Sequence, residues 1–186
     1  MRRGLAVPSG IGLLLLAFGV SFSTPGDETI HAPFAETGDV GEQIASAHLV
    51  ATVNDLVLAE VVELGSWRGT TAGIWLVVDA TIAARAERSG VEADVFVDGV
   101  RYRATARVTS ASLTGRVADA GFPVSGSILV ELPADVRELP GARSAVLRLG
   151  PALDTRLDSV IELTIDLTGL DVVEVAERTT PRAGAA

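Results

Sequence analysis

The chain has 186 residues, 48% of them hydrophobic, which is enough apolar material for the core of one ordinary domain. Its formal net charge of −9 excludes nucleic-acid binding, because a phosphate backbone requires a basic surface. It contains no cysteine, so disulfides, a thiolate nucleophile and a lipid-attachment cysteine are excluded as well.

The first apolar segment is long enough to cross a membrane. Residues 4–22 carry no charge and follow Arg2 and Arg3. As a helix they would span roughly 29 Å, which is about the thickness of a bilayer core. Two interpretations stay open: a secretory signal cleaved at the small residues around 21–23, or an uncleaved signal anchor over residues 1–23. The length favours the anchor, a single transmembrane helix.

The charges around this segment predict its orientation. The arginines before it favour an N-terminus inside the cell, and the first charged residues after it, Asp27 and Glu28, are acidic. The rest of the chain is therefore expected outside the cytoplasmic membrane, or secreted if the segment is cleaved. Residues 24–44 are predicted to be a linker, because turn-forming residues recur in it, and we expect His31 within it to be solvated.

From residue 45 the chain changes to short apolar runs separated by turn residues. Residues 48–53 and 56–64 are predicted strands, with Asn54 and Asp55 forming a tight turn between them. A loop with flanking glycines at residues 65–69 leads to the next strand.

The strand around which we expect the domain to fold covers residues 73–84. Leu76 and Val78 alternate with Trp75 and Val77 in this stretch. A period of two with many β-branched residues is typical of a strand that buries at least one face.

Asp98 and Gly99 form the strongest short hairpin signal in the sequence. A two-residue turn at these positions places Val97 opposite Val100, Val95 opposite Tyr102, Asp94 opposite Arg103 and Phe96 opposite Arg101. The first two pairs lie on a wholly apolar side of the hairpin. The last two predict an ion pair and a cation–π contact on the other side.

Three further strands are predicted at residues 127–132, 145–149 and 160–167, with turn signals between them. About seven to nine short strands at this spacing are typical of an antiparallel sandwich and not of a parallel sheet. The predicted fold is an all-β, antiparallel, Ig-like β-sandwich over residues 45–170, preceded by the transmembrane helix. Residues 171–186 are predicted to be a C-terminal tail with at most a frayed edge strand.

These elements resemble the telokin-like, immunoglobulin-like domains of unknown function found in bacterial surface lipoproteins and membrane-anchored proteins. The resemblance rests on the strand at residues 76–82, on the family-like D-G-x-x-Y at 98–102, and on residues 126–133 with the short strand at 147–149. It implies a sandwich displayed outside the membrane, with no catalytic residues. The chain departs from the family in having alanines and an arginine at 84–86, where an asparagine is expected, and in lacking the lipobox cysteine. Its basic residues are all arginine, which indicates a high-GC bacterial genome.

Residues suited to catalysis are sparse in this sequence. A serine hydrolase requires a histidine base, and only His31 and His48 are present. His48 begins a predicted strand, so we expect an edge or hydrogen-bonded histidine and not a base. The sequence has neither a G-x-S-x-G motif nor a glycine-rich phosphate loop. It therefore predicts a protein that is not an enzyme.

The sequence also lacks a cluster of residues that could bind a metal or a cofactor. Zinc takes three or four clustered ligands, which two distant histidines without cysteine do not supply. Asp154 and Asp158, in the loop at residues 150–159, are the pair best suited to calcium. Calcium needs about six to eight oxygen ligands, and a solvated loop explains the pair equally well. We predict no metal and no cofactor.

The two tryptophans, Trp67 and Trp75, are candidates for a binding surface. Trp75 lies on the strand face opposite the aliphatic row, and we expect it to be buried under a second layer. Trp67 lies in the predicted loop beside Arg68, a residue type that is frequent at interface hot spots. Trp67 and Arg68 are therefore the predicted interaction surface.

The function expected from these features is that of a membrane-anchored extracytoplasmic Ig-like module that contacts a protein partner, as an accessory part of an envelope assembly. The alternative is a secreted or tethered module that binds a small ligand or glycan through its loops. An envelope hydrolase is the least supported function, because no motif accompanies His48.

Overall fold

A computed structural model describes residues 32–105, 107, 111–152, 156–178 and 180–183. The predicted membrane segment, His31 and Asp154 lie outside these residues. In the described part of the chain, no helix is both long and apolar enough to span a membrane. From Pro33 onward the chain forms one compact unit.

The described residues form strands and two short 3₁₀ helices. The strands are β1 (Phe34–Thr37), β2 (Gln43–Ala45), β3 (Leu49–Leu64), β4 (Trp67–Ala84), β5 (Ser89–Gly90), β6 (Glu92–Val97), β7 (Val100–Arg103), β8 (Val117–Ala118), β9 (Val124–Leu132), β10 (Ala145–Gly150), β11 (Ser159–Ile165), β12 (Val172–Arg178) and β13 (Arg182–Ala183). The 3₁₀ helices cover Val136–Glu138 and Pro140–Ser144.

Two sheets face each other and form a β-sandwich. The first has five strands in the order β1-β11-β10-β6-β7, and the second has six, in the order β12-β3-β4-β9-β13 with β2 beside β3. Neighbouring strands in these two sheets are antiparallel, except for the parallel pairs β1–β11 and β12–β3. The predicted all-β sandwich is confirmed.

The main core lies between the two sheets. Leu76 and Val78 of β4 are fully buried in it, and the opposite sheet contributes Val95 of β6 with Leu147 and Leu149 of β10. Burying such side chains stabilises the fold by roughly 25 cal/mol per Å² of apolar surface. The alternation predicted for this strand is confirmed.

The predicted hairpin is confirmed in its register. Asp98 and Gly99 form the turn with φ values of 50° and 75°. Two positive φ values in a two-residue loop match the twist of the flanking strands, and aspartate and glycine tolerate them well. The four strand pairs follow the predicted register, with Val97 opposite Val100.

The predicted turn at Asn54 and Asp55 is wrong. β3 is continuous and pairs with β4 along most of its length, with a register shift between Val53 and Asp55. Asn54 is the extra residue of a β-bulge, which shifts the alternation of the strand by one position. As a result Val53 and Leu56 both face the main core. A polar pair that is typical of a turn therefore marks a bulge here.

Strands also occur in the predicted linker and in the predicted tail. β1 and β2 lie in or at the end of the linker at 24–44, whereas β12 corresponds to the edge strand allowed in the tail at 171–186, and β13 follows it. All four residues of β1 are exposed, and β13 pairs with only two residues of β9. Short strands with exposed side chains lack the apolar alternation that marks a buried strand, which is why the sequence pattern missed them.

The β3–β4 hairpin is irregular near its closed end. β3 pairs with β4 up to Ala59 and again from Val61, but residues 71–74 of β4 have no partner on β3. Such an excess of residues on one strand bends a hairpin sharply. We call residues 61–70, beyond the irregularity, the arm.

The arm lies back over the outer face of its own sheet. The rings of Trp67 and Trp75 meet edge to face with 6.1 Å between centroids, whereas a straight strand would separate these residues by roughly 26 Å. Arg178 pairs with Leu64 of the arm, yet its Nε lies 2.7 Å from Oδ2 of Asp79. Both contacts require the hairpin to fold back.

A second core fills the space under the arm. Its members come from the arm, from β12, from the outward side of β3, β4 and β9, and from the segment between β7 and β8, and they are Val57, Ala59, Val62, Leu64, Trp75, Val77, Ala111, Leu129 and Ala176. Trp67 and Val173 pack against this cluster. Trp75 is only 1% exposed, so the expectation that it is buried under a second layer is confirmed.

Candidate functional site

The two residues predicted as an interaction surface lie on the arm. Trp67 begins β4 and is not in a loop, because the turn consists of Gly65 and Ser66 alone. The Trp67 ring is partly buried against Trp75. The Arg68 side chain is 60% exposed and forms an ion pair with Glu63, its partner across the arm. The Arg68 side chain is therefore exposed at the surface, and the Trp67 ring beside it packs against Trp75.

A polar cleft opens on the same outer face, beside the second core. Its volume is about 240 Å³. Its polar lining side chains come from β3, β4, β9, β12 and β13, and they are Asn54, Asp79, Ser125, Ser127, Arg178 and Arg182. The fold of the arm helps to build this cleft, because β12 follows the arm and brings Arg178 to it.

Asp79 is held from two sides in the cleft. Ser127 donates its hydroxyl hydrogen to Oδ1 at 2.5 Å, and the Arg178 guanidinium forms an ion pair with Oδ2. The side chains of Asp79 and Arg178 are 28% and 23% exposed, so solvent screens the pair only in part. This arrangement fixes the carboxylate and balances its charge locally.

Hydroxyl and amide groups continue the polar lining. Thr81 Oγ1 and Ser125 Oγ are 2.8 Å apart, and Asn54 Nδ2 donates to Thr81 Oγ1 at 3.2 Å. Hydroxyl and carboxamide groups can each donate and accept hydrogen bonds, so this row suits a ligand that carries hydroxyls. The β-bulge at Asn54 is what turns this side chain toward the row.

The C-terminal segment closes one side of the cleft. A Cβ at Gly126 would lie 2.9 Å from Cγ of Pro181, so glycine allows the proline to pack directly on β9. The next residue, Arg182, pairs through its backbone with Ser125, and its side chain is exposed at the cleft. Arg182 thus brings a second guanidinium to the cleft.

The sequence pattern does not predict this cleft. Its side chains come from the bulge at Asn54, where the sequence predicts a turn, from polar positions of β4 and β9, and from the predicted tail. The one local signal is Asp79, the only charged residue of the predicted strand at 73–84. Asp79 marks the point where the outer face changes from the apolar second core to the cleft.

The outer face of the five-stranded sheet carries a network of charges. Asp94 is 4% exposed. Its Oδ2 lies 2.5 Å from Arg101, and its Oδ1 lies 3.8 Å from the predicted partner Arg103. Phe96 lies opposite Arg101 in the strand register, as predicted, and the guanidinium of Arg148 lies over the Phe96 ring, 4.5 Å from its centroid. Arg101 reaches diagonally to the buried carboxylate of Asp94.

His48, the candidate catalytic base, lies beside Asp158, one residue of the candidate calcium pair. His48 Nε2 lies 2.7 Å from Oδ1 of Asp158, which also accepts a hydrogen bond from the Ser159 N–H. Asp154, the other residue of the calcium pair, lies outside the described residues. Among the residues that the structure describes, no group of three or more His, Cys, Asp or Glu is arranged to hold a metal ion.

Comparisons with known proteins give similarity of architecture only. No family model matches the chain, and no curated protein is significantly similar to it. An uncharacterized β-sandwich protein from Clostridium difficile 630 is 13% identical with a TM-score of 0.48, over 76% of this chain and 99% of that one. The yjhA protein from Bacillus subtilis is 18% identical with a TM-score of 0.47, over 69% of this chain and 98% of that one. The two facing sheets described above identify the chain as a β-sandwich.

Proposed function

We propose that this chain is a membrane-anchored, extracytoplasmic Ig-like module that acts by contact with a protein partner. The anchor is supported by the uncharged residues 4–22 behind Arg2 and Arg3, and the outward orientation by the acidic residues that follow. The partner would belong to an envelope assembly in which this chain is an accessory part.

The observation that carries the contact function is the presentation of Arg68. The arm holds Trp67 against Trp75, while the Arg68 guanidinium is exposed beside it and is oriented by Glu63. Arginine and tryptophan are both among the residue types enriched at interface hot spots. Holding both in place before binding lowers the entropy lost on association.

Site-specific photo-crosslinking of the full chain in native membranes tests this function. A photoreactive residue at Ser66, the turn of the arm, should give a discrete crosslinked protein, and R68Q should abolish that product. The same probe at Val100, which is 52% exposed at the start of β7 next to the other hairpin turn, is the matched control. Identical products from both positions, or a Ser66 product that R68Q leaves unchanged, would refute contact through the arm.

Membrane attachment has its own test. If residues 1–23 form an uncleaved anchor, the intact mass of the membrane-extracted protein equals that of the whole chain. A mass lower by the first twenty or so residues would instead support the secreted form of the module, in accord with a cleavage site near 21–23.

A second function, a secreted or tethered module that binds a small ligand or glycan, is favoured by one specific observation. The cleft beside the arm gathers a carboxylate, two guanidinium groups, hydroxyls and an amide around about 240 Å³. Ligand sites are concave and carry a few convergent polar groups that orient the ligand. A change in Trp67 fluorescence on addition of a ligand is the simplest readout, since Trp67 lies on the arm that helps to shape the cleft.

A further inference from the structure

We infer that the cleft binds a small hydroxylated carboxylate, of the kind found as a terminal sugar acid of a glycan or as a free hydroxy acid. This inference rests on the second proposed function, that of a ligand-binding module, and assigns its ligand class. Three features of the cleft support it: the charge that Arg182 brings, the fixed carboxylate of Asp79 and the volume.

Arg182 supplies the group that recognises the carboxylate. The guanidinium of Arg178 is engaged by Asp79, whereas the Arg182 side chain is exposed at the cleft. A guanidinium can bind a carboxylate through two parallel hydrogen bonds, which fixes the orientation of the ligand as well as its position. Because the guanidinium is positively charged, the site distinguishes an acidic ligand from a neutral ligand of the same shape. It does so in a chain whose formal net charge is −9.

The other polar side chains of the cleft suit hydroxyl groups. Asp79 is held by Ser127 and Arg178, so its carboxylate is fixed in place before any ligand arrives. Asp55 lies opposite Asp79 in the strand register and adds negative charge beside it. A ligand carboxylate is therefore directed to Arg182 and away from these acids, and its hydroxyls face the row that contains Ser125 and Asn54.

The volume limits the size of the ligand. Pockets for drug-sized molecules are about 300–1,000 Å³, and this cleft has about 240 Å³. A single sugar acid or an open-chain acid of similar length suits that volume, with the rest of a glycan lying outside. The cleft is open on one side, which would allow a terminal residue of a longer chain to enter.

Calorimetric titration of the full chain in detergent micelles tests the assignment with defined probes. The methyl glycoside of D-glucuronic acid stands for a terminal sugar acid, D-gluconate for a free hydroxy acid, and methyl D-glucoside for the neutral analogue. At least one acid should bind tenfold or more tightly than the neutral glucoside, because a charge-assisted pair contributes more than a neutral hydrogen bond. The acid that binds more tightly identifies the source.

Matched variants locate the effect. R182Q should weaken binding of the preferred acid about tenfold or more, whereas R143Q, which removes an exposed arginine from the second 3₁₀ helix, should leave it unchanged. Higher salt should also weaken binding of the acid. Equal affinity for the acids and the neutral glucoside, no binding of either acid, or full binding by R182Q would overturn the inference. Because the crosslinking test reads the arm at Ser66 and Arg68, a failure here leaves the contact function standing.

Discussion

At the scale of single residues, the arm depends on glycines that allow close approach. A Cβ at Gly73 would lie 1.9 Å from the backbone oxygen of Leu132, and a Cβ at Gly69 would lie 2.0 Å from the Trp67 ring. Gly73 lies within residues 71–74, where β4 leaves its pairing with β3. The bend and the layer that it creates therefore require positions without a side chain.

Replacing Gly73 by alanine should destabilise the protein by about 2–4 kcal/mol, because the new methyl group meets backbone, which cannot rotate away. Urea denaturation measured by far-ultraviolet circular dichroism gives the free energy of unfolding. G169A is the matched control, since the nearest atom to a Cβ there is 3.7 Å away, at ordinary contact distance. If the two variants were equally stable, the close approach at Gly73 would be refuted.

Glu92 offers a pH-dependent test at the same scale. Burial raises the pKa of the Glu92 carboxyl, Asp94 nearby raises it further, and Arg103 partly opposes the shift. A raised pKa in the folded state means that the ionised form is less favourable after folding. The ionised Glu92 carboxylate therefore destabilises the folded protein. This destabilisation is absent below the pKa that Glu92 has in the unfolded chain, and it is complete once the pH has risen through the pKa of Glu92 in the folded protein.

The variant E92Q should therefore raise the melting temperature at pH 7 and have a smaller effect near pH 4. Thermal unfolding at the two pH values measures the difference. E174Q, at an exposed position of β12, controls for the loss of one negative charge from an acidic protein. A melting temperature that falls at pH 7, or a gain that is the same at both pH values, would contradict the assigned cause.

At the scale of elements, the arm and the sandwich are joined by the second core. Trp67 and Trp75 meet at an interplanar angle of 78°, the edge-to-face geometry that aromatic pairs favour. β12 adds Ala176 to the same core and continues to Arg178 at the cleft. Removing the contact between Trp67 and Trp75 is therefore expected to release the arm from the sheet first and to displace Arg178 from the cleft as a consequence.

Replacing Trp67 by alanine should reduce stability by about 2–4 kcal/mol and remove the coupled near-ultraviolet dichroism of two adjacent indoles. W67F, which keeps an aromatic ring in the second core, should lose the coupled signal but retain much of the stability. Near-ultraviolet circular dichroism and chemical denaturation read these two effects separately. A dichroism spectrum that W67A leaves unchanged would mean that the two rings do not touch.

At the scale of the whole molecule, the parts that sequence could predict are those set by local pattern. The strand around Leu76 and Val78 alternates regularly, and the turn at Asp98 and Gly99 restricts its own backbone, so both were predicted correctly. The two facing sheets followed from the number and spacing of such segments. These features depend on the pattern of residues that lie close together in the chain, and such local patterns can be recognised in a single sequence.

The parts that sequence could not predict depend on contacts between distant residues. Leu58 and Val62 alternate as if they shared one face, yet the bend places Leu58 in the main core and Val62 in the second core. Arg182 reaches the cleft only because β13 pairs with β9, and nothing in its neighbouring residues indicates this. The cleft joins segments separated by more than a hundred residues, so the tertiary fold alone creates it.

The folding back of the arm supports the second core and the cleft together, and proton NMR on the isotopically labelled full chain in micelles tests it most directly. We expect nuclear Overhauser contacts between the ring protons of Trp67 and Trp75, whose centroids are 6.1 Å apart. The strand contacts of Trp67 with Leu64 and of Trp75 with Glu131 serve as internal controls. If those strand contacts are present while the two indoles show none, the hairpin is straight, and both the second core and the cleft are contradicted.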